Sequence, residues 1–205
     1  METKYEYKSA EEAVRQIKSG DRVFIQGGAC TPSYLISHLA KRKDELRDVE
    51  LVFITVYGDL IVDAPEYADS FHINTMFVSA SVRNSINEGR ADFIPVFLSE
   101  IPELFRRGVL PLDVAIVQVS PPDKKGYCSM GVSVDIARSA VNSASHVIAQ
   151  VNPRVPRTHG DSFIHSSQFD AMVFTDEPLH AAGAPAQLTA EEMKIGEHIA
   201  PLVSD

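Results

Sequence analysis

The stretch VFIQGGACTPSYLISHLA, residues 23–40, places a short apolar run, a glycine pair and an amphipathic segment in direct succession. Val23–Gln26 is predicted to be a strand, because branched and aromatic side chains favour extended backbone. Thr31-Pro32 predicts a helix start, with threonine as the cap and proline at the first helical position. The side chains that line the buried face of this helix are Leu35, Ile36, Leu39 and Ala40.

The same alternation of strand and helix continues along the chain, and it decides the predicted fold class. Strands that are apolar on both faces belong to parallel sheets covered by helices on each side. The sequence therefore predicts an α/β fold with an open, mostly parallel sheet and helices on both faces. The further predicted strands are Leu51–Val56, Phe71–Val78, Phe93–Phe97, Val114–Val119, Tyr127–Ser129, Val147–Val151 and Met172–Thr175. The further predicted helices begin at Ser9, Val82, Ile101, Ile136 and Thr189.

The amino-acid composition argues against several classes of function. The 205 residues carry a net charge of −9 with no compensating basic cluster, so nucleic acid is not an expected partner. No run of about 18 apolar residues is present and the first residues are charged, so we expect neither a membrane span nor a secretory signal. The two cysteines suit a reducing compartment, and a cytoplasmic location is predicted. No histidine stands at metal-ligand spacing, so no metal site is predicted.

The glycine pair is the first candidate binding element. Gly27 and Gly28 follow a predicted strand and precede a predicted helix, which is where open α/β sheets bind ligands. Glycine there allows a ligand to approach the backbone closely. The spacing matches neither the dinucleotide fingerprint nor a phosphate-binding P-loop. Cys30 is either a thiol activated by the helix terminus or a small buried side chain, and the second interpretation is favoured because no partner His or Asn is nearby in sequence.

Residues 120–131 form a second candidate element, a proline-stiffened turn after the predicted central strand Val114–Val119. One interpretation is a rigid hairpin at the rim of the sheet. The other is that Ser129 and Gly131 present a hydroxyl group and backbone amides to the same cleft as the glycine pair.

Residues 151–161 form a third candidate element, which is polar and rich in proline. Arg154 and Arg157 could bind a carboxylate or phosphate group, or they could pair with surface acids. His159 is a weaker candidate for a general base.

Both ends of the sequence carry the same local signal. SAEE at residues 9–12 and TAEE at residues 189–192 are capping boxes, each followed by an amphipathic stretch. The similarity is explained equally well by chance or by an internal repeat. The Pro/Ala/Gly-rich stretch 180–187 is the predicted break before the last helix.

Three stretches together resemble the acetyl-CoA hydrolase/transferase family, which includes 4-hydroxybutyrate and butyryl-type CoA-transferases. They are the glycine loop GGACTP at residues 27–32, SPPDKKGYCSMGVSVD at residues 120–135 and VNPRVPRTHGDSFIH at residues 151–165. The resemblance covers only the first half of such enzymes. It implies two similar α/β halves of the CoA-transferase and NagB/RpiA-like kind, with residues 1–188 as the N-terminal domain. Residues 189–205 would then be the opening helix of the second half, ended near Ile199 by Pro201.

The resemblance also implies a reaction mechanism. A glutamate carboxylate attacks an acyl-CoA thioester, and a glutamyl-CoA thioester follows that an acceptor carboxylate opens. That glutamate belongs to the second half, so no catalytic residue is nominated in this chain. The expected partners are acyl-CoA, a short carboxylate, the complementary half and further copies of the protein, with CoA as a substrate and no cofactor. The substrate-binding residues implied by strand-end position and resemblance are Gly27, Gly28, Thr31, Tyr57, Ser129 and Gly131.

Two other functions remain open from the residues alone. One is a non-catalytic α/β module that binds a ligand or partner without turning it over. The other is a sugar-phosphate isomerase, which would need its own catalytic carboxylate and a phosphate-binding lysine in motif context.

Overall fold

The structure is a computed structural model that describes residues 5–181 and 187–203. Its main sheet contains seven strands: β1 (Arg22–Ile25), β2 (Val49–Phe53), β3 (Phe71–Thr75), β4 (Ala91–Phe93), β5 (Val114–Val119), β7 (His146–Val151) and β9 (Ala171–Phe174). They pair in parallel in the order β4-β3-β2-β1-β5-β7-β9, which confirms the predicted open parallel sheet. The remaining two strands, Tyr127–Ser129 (β6) and Phe163–His165 (β8), form a separate antiparallel ribbon.

Helices cover both faces of the sheet, as predicted. The helices of the described residues are α1 (Ala10–Val14), α2 (Ser33–Ala40), α3 (Arg83–Asn87), α4 (Ile101–Arg106), α5 (Ala137–Ser143) and α6 (Ala190–Ile199). One buried cluster packs under α1 and α2, and a second packs under α4 and α5. Each central strand contributes alternate side chains to the two clusters, which is why these strands are apolar on both faces.

Several predicted boundaries differ from those in the structure. The first helix ends at Val14 rather than near Gly20, because the Arg42 guanidinium group caps the helix end by donating to the carbonyls of Val14 and Ile17. The strand predicted to reach Val78 ends at Thr75, whose hydroxyl group donates to the Phe77 carbonyl and turns the chain. β8 was not predicted.

The second and fourth strands also end differently from the prediction. The second predicted strand stops at Phe53 instead of Val56, and Val56 instead bridges to Gly28. The predicted strand Phe93–Phe97 is instead Ala91–Phe93 (β4), which ends before Pro95 and lies at the sheet edge, where strands tolerate a nearby proline.

Both predicted capping boxes are present. The side chains of Ser9 and Thr189 accept hydrogen bonds from the backbone N–H groups of Glu12 and Glu192, and both glutamates bond back. The α-helical part of α6 ends at Ile199 and a 3₁₀ turn containing Pro201 follows, as predicted. All described residues of α6 are exposed, in contrast to those of the other helices.

Candidate functional site

The glycine pair lies at the C-terminal end of β1, against the end of β2. The Gly28 N–H group donates to the Thr55 carbonyl at 2.8 Å, and a β-carbon on Gly27 would overlap that same carbonyl oxygen. Gly28 has a φ of +60°, and a β-carbon there would lie 2.8 Å from Ser133 Oγ. Glycine is therefore required at both positions by close packing.

The loops around Gly28 and Gly131 converge, as the parallel topology predicts. The Gln26 side-chain amide donates to the carbonyls of Met130 at 3.3 Å and Ser133 at 2.8 Å. A β-carbon on Gly131, whose φ is +66°, would lie 2.6 Å from the Val155 side chain and 3.2 Å from Cys30 Sγ. The absence of side chains at the glycines thus allows three loops to meet at one edge of the sheet.

A cleft of about 370 Å³ opens at this edge. Three of the predicted substrate-binding residues line it, namely Gly27, Gly28 and Tyr57. Asp135 and Phe77 also line it, and the sequence reasoning nominated neither. The Asp135 carboxylate accepts hydrogen bonds from the N–H groups of Ile136 and Ala137 at the start of α5.

Thr31 joins the glycine loop to the wall of the cleft. Its hydroxyl group donates to the Gly28 carbonyl at 2.8 Å and accepts from the Tyr57 N–H group at 3.0 Å. The predicted role of Thr31 as the cap of α2 is wrong, because Pro32 occupies the cap position and no side chain caps this helix. The hydroxyl group is occupied instead by the longer-range contact to Tyr57.

Ser129 is fully buried and its hydroxyl group is directed into the protein. Its Oγ accepts hydrogen bonds from the N–H groups of Gly131 at 3.1 Å and Thr158 at 3.2 Å. The structure therefore does not show Ser129 and Gly131 presenting a hydroxyl and a free amide to the cleft. Neither residue lines the 370 Å³ cleft; both hold the 158–162 loop against the ribbon.

The backbone amides of five of the six predicted site residues are already hydrogen-bonded within the chain. They are those of Gly28, Thr31, Tyr57, Ser129 and Gly131. These N–H groups are therefore not available as oxyanion donors in this arrangement. The described edge of the sheet supplies a shaped wall and a cleft.

The two cysteines are free thiols, and both are buried. Burial raises the pKa of the Cys30 thiol, and burial raises the pKa of Cys128 to about 12. A neutral buried thiol is a poor nucleophile. The interpretation of Cys30 as a small buried side chain therefore agrees with the structure.

The two arginines of the third stretch pair with carboxylates. Arg154 Nε lies 2.7 Å from the Asp176 carboxylate, and Arg157 lies 3.1 Å from that of Asp123. Arg157 also donates to the Tyr127 carbonyl, which ties the loop to the ribbon. His159 is exposed and contacts the Phe163 ring edge-on. Of the two interpretations of these arginines, the structure shows the pairing with surface acids.

The sequence analysis did not identify a set of buried amide side chains. Its members lie at the C-terminal ends of three adjacent strands and hydrogen-bond across them. The available signal was the occurrence of polar amides where β1, β5 and β7 are otherwise apolar. We call this set the amide ladder; it consists of Gln26, Gln118, Gln150 and Asn152.

The chain segment after β9 crosses the same edge of the sheet. The Asn152 side chain donates to the Glu177 carbonyl at 2.8 Å, and His180 Nε2 lies 2.8 Å from Ser33 Oγ. His180 thus contacts the first turn of α2. The predicted break at 180–187 falls mostly on residues outside the described ranges.

Two further observations concern the described ranges as a whole. Within residues 5–181 and 187–203, no three His, Cys, Asp or Glu side chains are grouped so that they could hold a metal ion. In those ranges no helix has the length and apolar character needed to cross a membrane.

Comparison with known proteins gives one family. The model described as "Acetyl-CoA hydrolase/transferase N-terminal domain" matches residues 1–182. The chain is 42% identical over 200 residues to a succinyl-CoA:acetate/propanoyl-CoA:succinate CoA transferase of Fasciola hepatica, which is 96% of this chain and 41% of the relative. It is 42% identical over 197 residues to a 4-hydroxybutyrate coenzyme A transferase of Clostridium kluyveri, which is 96% of this chain and 46% of the relative.

A solved structure gives the same result for the fold. The 4-hydroxybutyrate CoA-transferase of Porphyromonas gingivalis superposes with a TM-score of 0.74 at 30% sequence identity, over 97% of this chain and 46% of that one. The chain therefore spans less than half the length of the curated relatives described above.

Proposed function

Because the chain belongs to the acetyl-CoA hydrolase/transferase family, we propose that it is the N-terminal domain of an enzyme that moves CoA from an acyl-CoA to a short carboxylate. The main structural support for this proposal is the cleft at the C-terminal edge of the sheet, which is lined by Gly27, Gly28 and Tyr57. The coverage of the relatives, which is less than half of their length, supports a domain that works with a second one.

The described wall of the cleft lacks a suitable nucleophile. Among its described lining residues, Asp135 is the single carboxylate, and it already accepts hydrogen bonds from the N–H groups of Ile136 and Ala137. Cys30 is buried and neutral. We therefore assign the attacking carboxylate to a glutamate in a second domain.

The proposed reaction proceeds by covalent catalysis. The glutamate oxygen attacks the thioester carbonyl, so that a mixed acyl-glutamyl anhydride forms and CoA leaves as the thiolate. The thiolate attacks the glutamyl carbonyl, giving glutamyl-CoA and releasing the first acid as its carboxylate. The acceptor carboxylate then attacks the glutamyl carbonyl of this thioester, which forms a second anhydride and releases the CoA thiolate. The thiolate attacks the acyl carbonyl of that anhydride, so that the new acyl-CoA forms and the glutamate carboxylate is released.

In this proposal the present chain shapes the acyl side of the cleft. Gly27 and Gly28 allow the chain at the end of β1 to pack closely against Thr55 and Ser133, which fixes the backbone wall beside the thioester. Thr31 fixes the Tyr57 backbone, so the Tyr57 side chain forms a wall of defined position. Positioning of this kind contributes to rate by holding the reacting groups in register.

Two further features belong to the proposal. We expect a cytoplasmic location, which the two free, buried cysteines support. We also expect an oligomer, for which the exposed apolar side chains of α6 supply a surface.

The test is trapping of the covalent intermediate. A longer protein containing this chain and its second domain is incubated with acetyl-CoA and butyrate, reduced with borohydride and digested for mass spectrometry. We expect CoA transfer, one reduced glutamate in the second domain and no modification between residues 1 and 205. The 205-residue chain alone is the control and should show no transfer. Turnover by that chain, with a reduced glutamate inside it, would refute the proposal.

A further inference from the structure

The amide ladder contains two glutamines whose surroundings differ from those of the third. Gln118 on β5 and Gln150 on β7 are 3% and 1% exposed. The Gln118 Oε1 atom accepts hydrogen bonds from Gln150 Nε2 at 2.8 Å and from Asn152 Nδ2 at 2.9 Å. Gln150 Oε1 accepts from the Leu35 N–H group at 3.2 Å. These bonds fix both amides and orient their nitrogens.

Each side-chain amide nitrogen carries two protons, so its donors can be counted. Gln26 uses both, on the carbonyls of Met130 and Ser133. Gln118 Nε2 has one acceptor among the described residues, the Thr31 carbonyl at 3.4 Å. Gln150 Nε2 likewise has one described acceptor, Gln118 Oε1. One N–H group on each of these buried nitrogens therefore lacks a described acceptor. A buried N–H group without a hydrogen bond destabilises the folded state unless another molecule accepts from it.

The two glutamines line the same cleft of about 360 Å³, between α2 and the segment after β9. Ser33 and His180 also line it, and they bridge its mouth through their 2.8 Å contact. This cleft is lined by none of the residues of the Gly27–Tyr57 cleft, and it lies on the α2 side of the sheet.

The charges of the lining restrict the ligand. Of the described lining residues none is lysine or arginine, and one, Glu177, is acidic. A carboxylate or phosphate ligand would therefore lack a lysine or arginine partner in this cleft. An uncharged group that offers a carbonyl oxygen to the two amide N–H groups, and its own N–H to an acceptor, matches these surroundings. A secondary amide has this pattern.

We propose that this cleft binds an amide of the pantetheine arm of acyl-CoA, with Gln118 and Gln150 donating to its carbonyl oxygen. The proposal rests on the proposed function, since that function makes acyl-CoA the substrate. Its position supports the assignment: Thr31, Ser33 and Ser37 line both this cleft and a neighbouring cleft of about 300 Å³ that Tyr57 also lines. An arm held here therefore lies next to the wall assigned to the acyl group.

The test is a titration of the 205-residue chain with pantetheine, followed by ¹⁵N–¹H NMR of the side-chain amides. The signals of Gln26, Gln118 and Gln150 are assigned from single Gln→Leu variants. We expect the Gln118 and Gln150 amide signals to shift saturably with pantetheine. Those of Gln26 should stay in place, because both of its protons are already bound.

A variant provides a second measurement. Gln150→Leu should weaken pantetheine binding about tenfold, as expected for one lost donor in a buried site. Gln168→Leu, at an exposed position, should leave the affinity unchanged. If Gln150→Leu fails to fold, the wild-type titration alone decides.

Three outcomes would overturn the inference. They are shifts with butyrate but not with pantetheine, no shift with either, and an equal shift of Gln26. The CoA-transfer assay on the longer protein separates this result from the proposed function. Transfer without a pantetheine response at Gln118 and Gln150 would reject this binding site and leave the proposed function standing, whereas absence of both transfer and response would reject the two together.

Discussion

The imidazole ring of His180 lies directly against the backbone of Gly58, so that a β-carbon at position 58 would overlap the ring. The Nε2 atom of the same ring lies 2.8 Å from Ser33 Oγ, within hydrogen-bond distance. The contact therefore joins three segments that are distant in sequence: the turn after β2, the first turn of α2 and the segment after β9. It is one reason why the clefts at this edge have a defined shape.

Gly58→Ala should displace His180. The ring can swing away from the new methyl group, and the protein then loses the hydrogen bond to Ser33, worth about 0.5–1.5 kcal/mol. A further loss comes from alanine at a φ of +80°. Urea unfolding measures the sum, and NMR of the His180 ring reports the displacement.

Gly108→Ala is the matched control, since Gly108 has a φ of +65° and a β-carbon added there would have no heavy atom within 4 Å. It should show the backbone cost alone. In a His180→Ala background, Gly58→Ala should cost no more than this control, because the hydrogen bond to Ser33 is then absent from both proteins compared. Equal losses in the two glycine variants would show that the ring contact contributes nothing.

Thr31→Val should loosen the wall formed by Tyr57. Valine keeps the shape of threonine but removes the hydroxyl group that accepts from the Tyr57 N–H and donates to the Gly28 carbonyl. An amide left without its acceptor costs about 1–3 kcal/mol, measured by urea unfolding. Thr31→Ser keeps the hydroxyl group and should recover most of the loss; a serine variant as unstable as the valine variant would contradict the role assigned to this oxygen.

The buried thiols should make the stability fall at high pH. The pKa of Cys30 is raised, and that of Cys128 is raised to about 12, in both cases mainly by burial. A raised folded pKa means that the unfolded state loses its protons first, so the contribution is complete below about pH 8.5 and is lost as pH rises towards 12. Urea unfolding between about pH 7 and 10.5 measures this slope.

A variant with both cysteines replaced by alanine provides the comparison. Its free energy of unfolding should fall less over the same pH range. The other titrating groups are present in both proteins, so their contributions cancel in the comparison. At about pH 8 the native protein should also react with a thiol reagent only as fast as it unfolds. Immediate labelling of either cysteine would contradict the neutral, buried state.

The apolar side of α6 should drive association of the 205-residue chain. Ile195 and Ile199 are 57% and 53% exposed, and Leu202 in the following turn is 81% exposed. Sedimentation at increasing concentration should show self-association, and replacing both isoleucines by glutamate should abolish it. Lys194→Glu changes the charge by the same two units and should leave association intact. A compact monomer at all concentrations would refute this expectation.

Much of the architecture was predictable because its signals are local. The predicted strand Val114–Val119, apolar except for Gln118, coincides with β5, and it is buried along its whole length. The capping boxes at Ser9 and Thr189 join residues three positions apart, so each can be recognised without knowing the fold. Pro201 likewise acts on its own helix.

The roles of the site residues depended on the tertiary structure. Thr31 has the pattern of a helix cap, yet its hydroxyl group bonds to Tyr57, 26 residues away. Ser129 bonds to Thr158 across 29 residues, which takes its hydroxyl group away from the cleft. Gln118 and Gln150 meet only because β5 and β7 are neighbours in the sheet.

The physical reason is the range of the interactions. Hydrophobic period and capping are set by residues within about four positions, so the amino-acid sequence by itself determined the strands, the helices and the α/β class. A hydroxyl or amide group has several possible partners, and the order of the strands decides which of them comes within about 3 Å. The tertiary structure alone therefore decided which polar groups build the wall of the cleft, which hold the loops together and which have an N–H group without a described acceptor.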